Sequence, residues 1–139
     1  MARRKNIVII EDDEDCRLLL SYWLERKKWH YLIHNYSNLK AAFEFIEVTC
    51  KDKIEYWPDL ILLDLYLPDG YGLDLLDKLA PYCPENPRPK IFIITSSDKM
   101  EDVKHASGYD IDAYIKKPLK VKVLDKIFAK YFEEDKLVK

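Results

Sequence analysis

Residues 57–76 read WPDLILLDLYLPDGYGLDLL, and the fold follows from how this stretch divides. Leu60–Leu63 is a wholly apolar run, entered through Pro58 and Asp59 and closed by a single acid, Asp64. A run this short, bounded by turn residues, reads as a strand buried on both faces. Asp64 then stands at the strand's C-terminal end, where open α/β sheets form their binding crevices. Pro68, Asp69 and Gly70 supply turn chemistry. Beyond them Gly72, Leu75, Leu76 and Leu79 recur at the spacing of one helix face. Taken alone, Asp64 could simply cap a turn; a carboxylate on a rigid strand end is also placed to react or to bind metal.

Working outward, the same alternation fills the chain. Asn6–Ile10 is a second apolar strand, followed by five consecutive acids from Glu11 to Asp15. Cys16, Leu19, Leu20, Trp23 and Leu24 then form a helical stripe. Asp13, Glu14 and Asp15 fall at the helix start, where the backbone dipole favours negative charge. Glu11 and Asp12 precede the helix and belong to the strand end. Residues 29–36, rich in aromatic and β-branched residues, read as the next strand, with His30 and His34 on one side as ordinary half-exposed sheet residues. Ser37 is the expected cap of a helix whose stripe is Leu39, Ala42, Phe43, Ile46 and Cys50. Residues 81–89, with four prolines, form a stiff connector. Residues 90–94 are a fourth strand, ending in Thr95, Ser96 and Ser97. Asp98 and Glu101 have capping-box spacing for a fourth helix, which Gly108 ends. Residues 112–115 are a short fifth strand leading to Lys116, Lys117 and Pro118. Leu124, Ile127, Phe128 and Tyr131 mark the core face of a fifth helix.

Five βα units give α/β architecture: one doubly wound, five-stranded parallel sheet with right-handed crossovers and helices on both faces. The chain has 139 residues, is 48% hydrophobic and 35% charged, and carries a formal net charge of -2. It is expected to be a single domain over 1–139, with its core at about 5–132 and a polar tail at 133–139. Near-neutral charge gives no general affinity for nucleic acid or anionic membrane, and no apolar run approaches the roughly 20 residues of a membrane span. Cys16, Cys50 and Cys83 are odd in number and widely separated, fitting neither a disulfide framework nor a zinc site. Reduced thiols in a cytoplasmic protein are the expectation.

In a parallel sheet all strand C-termini share one rim. Glu11, Asp12, Asp64, Thr95, Ser96 and Lys117 therefore meet there. Close carboxylates repel, and a divalent cation relieves the repulsion. Oxygen-only ligands without thiolates point to Mg2+. The same parts serve phosphoryl transfer, in which a carboxylate forms an acyl phosphate and catalysis is chiefly positioning and charge neutralisation. The glycines, at 70, 72 and 108, form no P-loop.

Four segments in order, IVIIEDD (7–13), PDLILLDLYLPDGYGLDLL (58–76), IFIITSS (91–97) and AYIKKPL (113–119), resemble those of two-component response-regulator receiver domains of the chemotaxis-receiver type. The resemblance covers nearly the whole chain and implies a flavodoxin-like strand order, 2-1-3-4-5. It implies that Asp64 is the phosphoacceptor, that Glu11 and Asp12 form the acidic pair with Asp12 foremost on Mg2+, and that Asp64 and the Tyr66 carbonyl complete the metal ligands. Thr95 matches the switch hydroxyl, Lys117 the lysine that pairs with the phosphoryl group, and Tyr114 the aromatic switch. A cis peptide at Lys117-Pro118 is implied too. Glu11 stands where many members have Asp, and Ser96 where a smaller residue is common. Tyr66 and Ser97 fall where the family tunes phosphoryl lifetime; bulky Tyr66 leads us to expect slow self-dephosphorylation.

The resemblance implies a phosphorelay function. A sensor histidine kinase or histidine phosphotransfer protein would load Asp64, and the face made by the fourth helix, fifth strand and fifth helix would be remodelled for a downstream protein. That face could also support a weak homodimer. With no output domain expected after the fifth helix, output would be protein contact rather than direct nucleic-acid or membrane binding; the chain could equally be part of a longer protein. No turnover of an external substrate is expected. Two rivals stand beside this reading: an Mg2+-dependent phosphatase with an aspartyl nucleophile, disfavoured because Asp64-Leu65-Tyr66 lacks a second acid, and a degenerate receiver used only for docking.

Overall fold

The computed structural model describes residues 4–27, 30–50, 52–82, 87–97 and 99–133. Five parallel strands, β1 (Asn6–Ile10), β2 (Leu32–Tyr36), β3 (Leu60–Leu63), β4 (Lys90–Thr95) and β5 (Ala113–Lys116), form one sheet in the order β2-β1-β3-β4-β5. Five helices alternate with them: α1 (Glu14–Glu25), α2 (Leu39–Glu44), α3 (Leu73–Leu79), α4 (Met100–Ser107) and α5 (Val121–Phe128). This is the doubly wound, flavodoxin-like order expected.

Side chains that alternate along the strands divide the core in two. Val8, Ile10, Ile61, Leu63, Ile91 and Ile93 pack with Ala42, Ile46, Leu75 and Leu79 of the α2–α3 side. Ile7, Ile9, Leu60, Leu62, Phe92 and Ile94 pack with Leu20, Trp23, Leu24, Leu124 and Phe128 of α1 and α5. Both faces of the central strands are thus dry, which is why their sequences are continuous apolar runs. Trp57, fully buried before β3, donates its indole N–H to the Pro87 carbonyl at 2.7 Å.

Local departures have local causes. Asn38, not Ser37, caps α2, accepting from the Ala41 N–H at 2.8 Å. Asp69 reaches across to accept from the Leu39 and Lys40 N–H groups, each at 2.9 Å. Two acceptors from outside the helix thereby satisfy its first turn. After Glu44 the helix widens into a π-helical turn, Phe45–Cys50, that keeps Ile46 and Cys50 buried. In α1 the stripe holds for Leu20, Trp23 and Leu24, whereas Leu19 is exposed. Asp13 is its N-cap, accepting from the N–H groups of Asp15 and Cys16. Strand β2 begins at Leu32; Trp29, like the Asp98 cap and Cys83, lies outside the described residues. His30 is exposed, while His34 bonds the Asn6 side chain at 3.1 Å. Gly108 follows α4 with φ −79, right-handed rather than the left-handed form its identity suggested.

Between β3 and α3 a two-residue antiparallel ribbon pairs Tyr66–Leu67 with Gly70–Tyr71. Gly70 turns it with φ +155, a conformation that L side chains rarely adopt. Gly72 closes the connection: a Cβ there would lie 2.1 Å from the Asp64 carbonyl oxygen. The start of α3 is therefore pressed against the backbone of the strand-end acid.

Candidate functional site

Strand register brings the rim residues together. Ile10 is paired with both Tyr36 and Leu63, so Glu11 and Asp64 leave neighbouring strands at the same level. Backbone bonds fix them: Asp64 N–H to the Ile10 carbonyl and Glu11 N–H to the Tyr36 carbonyl, both at 3.0 Å. Thr95 lies opposite Lys116 in the β4–β5 pair, and the next N–H, that of Lys117, donates to the Thr95 carbonyl at 2.8 Å. Lys117-Pro118 is cis, as the resemblance implied.

Glu11, Asp12 and Asp64 each offer a carboxylate oxygen, and these oxygens lie within 4.8 Å of one another. Glu11 and Asp64 are buried, at 2% and 6% exposure, while Asp12 is open to solvent. Lys117 Nζ is 2.5 Å from Glu11 Oε1 and 3.4 Å from Asp64 Oδ2. The Asp13 N–H donates to Glu11 Oε2 at 3.1 Å, and Arg17 Nη1 donates to the Glu11 carbonyl at 2.6 Å. The Tyr66 N–H approaches Asp64 Oδ1 at 3.4 Å. Thr95 is fully buried and its hydroxyl oxygen accepts from the Ser97 N–H at 3.2 Å. Tyr114 is half-buried and its hydroxyl donates to the Ser97 carbonyl at 3.3 Å.

The electrostatics separate the two buried acids. Burial, and then the Glu11 charge, push the Asp64 carboxyl up to about 7. Burial would raise Glu11 as well, but bonds from Lys117 and the Asp13 N–H outweigh it and hold Glu11 below its ordinary value. Burial opposes the charge on Lys117; the hydrogen bond to Glu11 and the Asp64 carboxylate reverse that and raise its pKa. Among the described residues the Lys117 ammonium and the Arg17 guanidinium face three acids, so the cup is still short of positive charge.

The donor set suits a hard divalent cation: carboxylate oxygens, one of them on an exposed side chain that leaves room for water ligands. Glu11 Oε1 supports the fit. It is sealed from solvent and faces the Lys117 ammonium at 2.5 Å. Such a buried oxygen gains from a further cation nearby.

A buried residue that the sequence did not single out borders this site. Asp102, on α4, accepts from the Tyr66 hydroxyl at 2.8 and 2.7 Å, from the Tyr71 hydroxyl at 3.3 Å and from the Ser97 hydroxyl. In the sequence it looks like any acid in the first turn of a helix. Its partners lie 5, 31 and 36 residues away, so no local spacing could have found it.

Comparison with known proteins agrees with the geometry. A family profile described as the response regulator receiver domain matches residues 7–129. The phosphate regulon transcriptional regulatory protein PhoB of Klebsiella pneumoniae is 31% identical over 124 residues, covering 89% of this chain and 49% of PhoB. The transcriptional regulatory protein SrrA of Staphylococcus aureus is 32% identical over 114 residues, covering 81% of this chain and 41% of SrrA. The chain thus spans half or less of the length of these curated relatives. Among solved structures, a CheY-like receiver domain protein from Methanospirillum hungatei superposes with a TM-score of 0.74 at 27% identity, over 96% of this chain and 98% of the other. The phosphorylated cyanobacterial phytochrome response regulator RcpA superposes with a TM-score of 0.80 at 21% identity, over 94% and 96%, a likeness of fold.

Proposed function

Because this chain belongs to the response-regulator receiver family and so serves phosphorelay signalling, we propose that Asp64 is its phosphoacceptor, loaded by a sensor histidine kinase or a histidine phosphotransfer protein. An Asp64 carboxylate oxygen forms the new O–P bond as the P–N bond of the donor phosphohistidine breaks, and the imidazole leaves to take up a proton. The observation that carries this role is the approach of Lys117 to both Glu11 and Asp64 at the acidic rim. An ammonium shared between two acids can follow negative charge to an arriving phosphoryl oxygen. The Thr95 hydroxyl takes another of those oxygens, and Tyr114 follows the loop that Thr95 draws in.

Glu11, Asp12, Asp64 and the Tyr66 carbonyl are proposed to hold Mg2+. When bound, the ion neutralises charge that builds on the transferring group. Beyond loading itself and slowly losing the phosphoryl group, the domain turns over no external substrate. Its output is a contact through α4, β5 and α5, where Met100, Val103 and Val123 are exposed apolar side chains; a downstream protein or a weak homodimer would use this face. A cytoplasmic location is part of the same proposal. Among the described residues no helix is long and apolar enough to cross a membrane.

Intact mass after treatment with acetyl phosphate and Mg2+ tests the assignment. Wild type is expected to gain one phosphoryl group and Asp64→Asn none. Labelling that survives Asp64→Asn would refute it, and turnover of a small phosphomonoester would favour the phosphatase alternative. A wild-type half-life of seconds would contradict slow loss.

A further inference from the structure

Asp102 is a buried carboxylate, 7% exposed, whose hydrogen-bond partners are three hydroxyls rather than a cation. Those hydroxyls come from different places. Tyr66 follows Asp64 by two residues, and its own N–H approaches Asp64 Oδ1. Tyr71 closes the ribbon by pairing with Tyr66, and the two rings meet at 5.5 Å between centroids. Ser97 follows Thr95 by two residues and donates its N–H to the Thr95 hydroxyl. The two loops that flank the acidic rim are therefore gathered, through their side chains, onto one residue of α4. Hydrogen bonds to a charged acceptor are stronger than neutral ones, and this acceptor receives three. Hydrogen bonds, from Ser97 foremost and then Tyr66, keep Asp102 ionised below the usual carboxylate range. Burial and the Asp102 charge push the Tyr71 phenol up to about 12, so it stays a donor.

We propose that Asp102 is a positioning residue for the phosphoryl site: by holding the Tyr66 hydroxyl it fixes the Tyr66 ring at the rim beside Asp64, where the ring restricts the approach of water to the acyl phosphate. The anchor sets a lifetime rather than taking part in bond making. The Tyr66 ring is about half exposed, so without its tether the ring contact left to restrain it within the ribbon, among the described residues, is the tilted one with Tyr71. A swinging ring leaves the acyl carbon and phosphorus open to solvent more of the time. This inference rests on Asp64 being the phosphoacceptor.

The test is the rate of phosphoryl loss from purified protein loaded with acetyl phosphate and Mg2+, followed by intact mass after the donor is removed. Tyr66→Phe keeps the ring and deletes the tether; Asp102→Asn keeps the shape and deletes the charge. Each is expected to shorten the half-life by roughly three- to tenfold, the consequence of losing one charge-assisted hydrogen bond. The double variant should decay no faster than the faster single one, because both remove the same link. Asp102→Asn should bind Mg2+ as wild type does, which a general loosening of the fold would not allow. If Asp102→Asn does not fold, Tyr66→Phe, which loses a single hydroxyl from a half-exposed side chain, decides alone. Unchanged or longer half-lives, or effects that multiply in the double variant, overturn the proposal. Wild type that takes no label at Asp64 overturns the phosphoacceptor assignment, and this inference with it.

Discussion

Lys117 stands nearer to Glu11 than to Asp64, at 2.5 Å against 3.4 Å. The ammonium that would meet a phosphoryl group is parked on the most deeply buried acid of the rim. It neutralises a charge that burial makes costly, and it competes with any cation for the same oxygen.

Removing that ammonium should therefore act in two directions. Lys117→Met leaves Glu11 buried without its partner, and the metal-free protein is expected to lose about 2–3 kcal/mol in urea unfolding with EDTA present. The same variant should bind Mg2+ more tightly in a calorimetric titration, because a competing positive charge is gone. Weaker binding would show that Lys117 organises the cup instead of competing for it.

Asp64 carries a stability cost that depends on pH. Its carboxyl sits at about 7 in the folded protein against an ordinary 3.8. Between those values the folded chain holds a proton that the unfolded chain has released, so this group's contribution falls as pH rises from about 4 to about 7. Glu11, held below its ordinary 4.5, gains its stabilising contribution in the more acid range and leaves the fall above pH 4.5 in place. Asp64→Asn is expected to stabilise the metal-free protein by about 1–2 kcal/mol at pH 8 and by much less at pH 4. Saturating Mg2+ should narrow the gap. A destabilised Asn variant at pH 8 would contradict the assignment of Asp64 as a strained, undercompensated acid.

Gly72→Ala should be damaging out of proportion to its size. A Cβ at this position would lie 2.1 Å from the Asp64 carbonyl and 3.2 Å from the Leu65 Cα, both backbone atoms. Either α3 or the strand-end acid must move. A loss of about 2 kcal/mol or more in urea unfolding is expected, together with slower labelling of Asp64. Wild-type behaviour on both counts would mean that the two backbones separate easily.

Cys16 and Cys50 should be inert. Burial pushes the Cys50 thiol up to about 12; burial and then the Glu11 charge do the same for Cys16. Against the ordinary value of 9.0, the thiolate fraction at pH 8 falls about a thousandfold. Peptide mapping after brief iodoacetamide treatment should find Cys16 and Cys50 unmodified in native protein and modified in urea. Rapid native labelling of Cys16 would mean that the acidic rim is far more open.

The strands were legible because sheet burial leaves a one-dimensional trace. Leu60–Leu63 and Ile7–Ile10 are apolar at every buried position, and each run ends where the first acid appears. Once strand order is known, Glu11, Asp12, Asp64, Thr95 and Lys117 converge by register alone. What stayed hidden depends on contacts between distant segments. Ser37 and Asn38 are both good caps, and the choice between them is a matter of backbone path. Asp69 looks like turn chemistry, yet it also serves the first turn of α2 from 30 residues away. Asp102 had no local mark because its meaning lies in three hydroxyls delivered by other loops.

Trp57 sits at the end of β3 remote from Asp64, shielded from water with its indole held by Pro87. Its emission is accordingly expected to remain blue and indifferent to whatever arrives among the carboxylates. Trp23 and Trp29 add their own emission, so optical work on this molecule will need a fluorophore introduced near the ribbon, while the Trp57 indole becomes instead a gauge of melting at the opposite pole of the sheet.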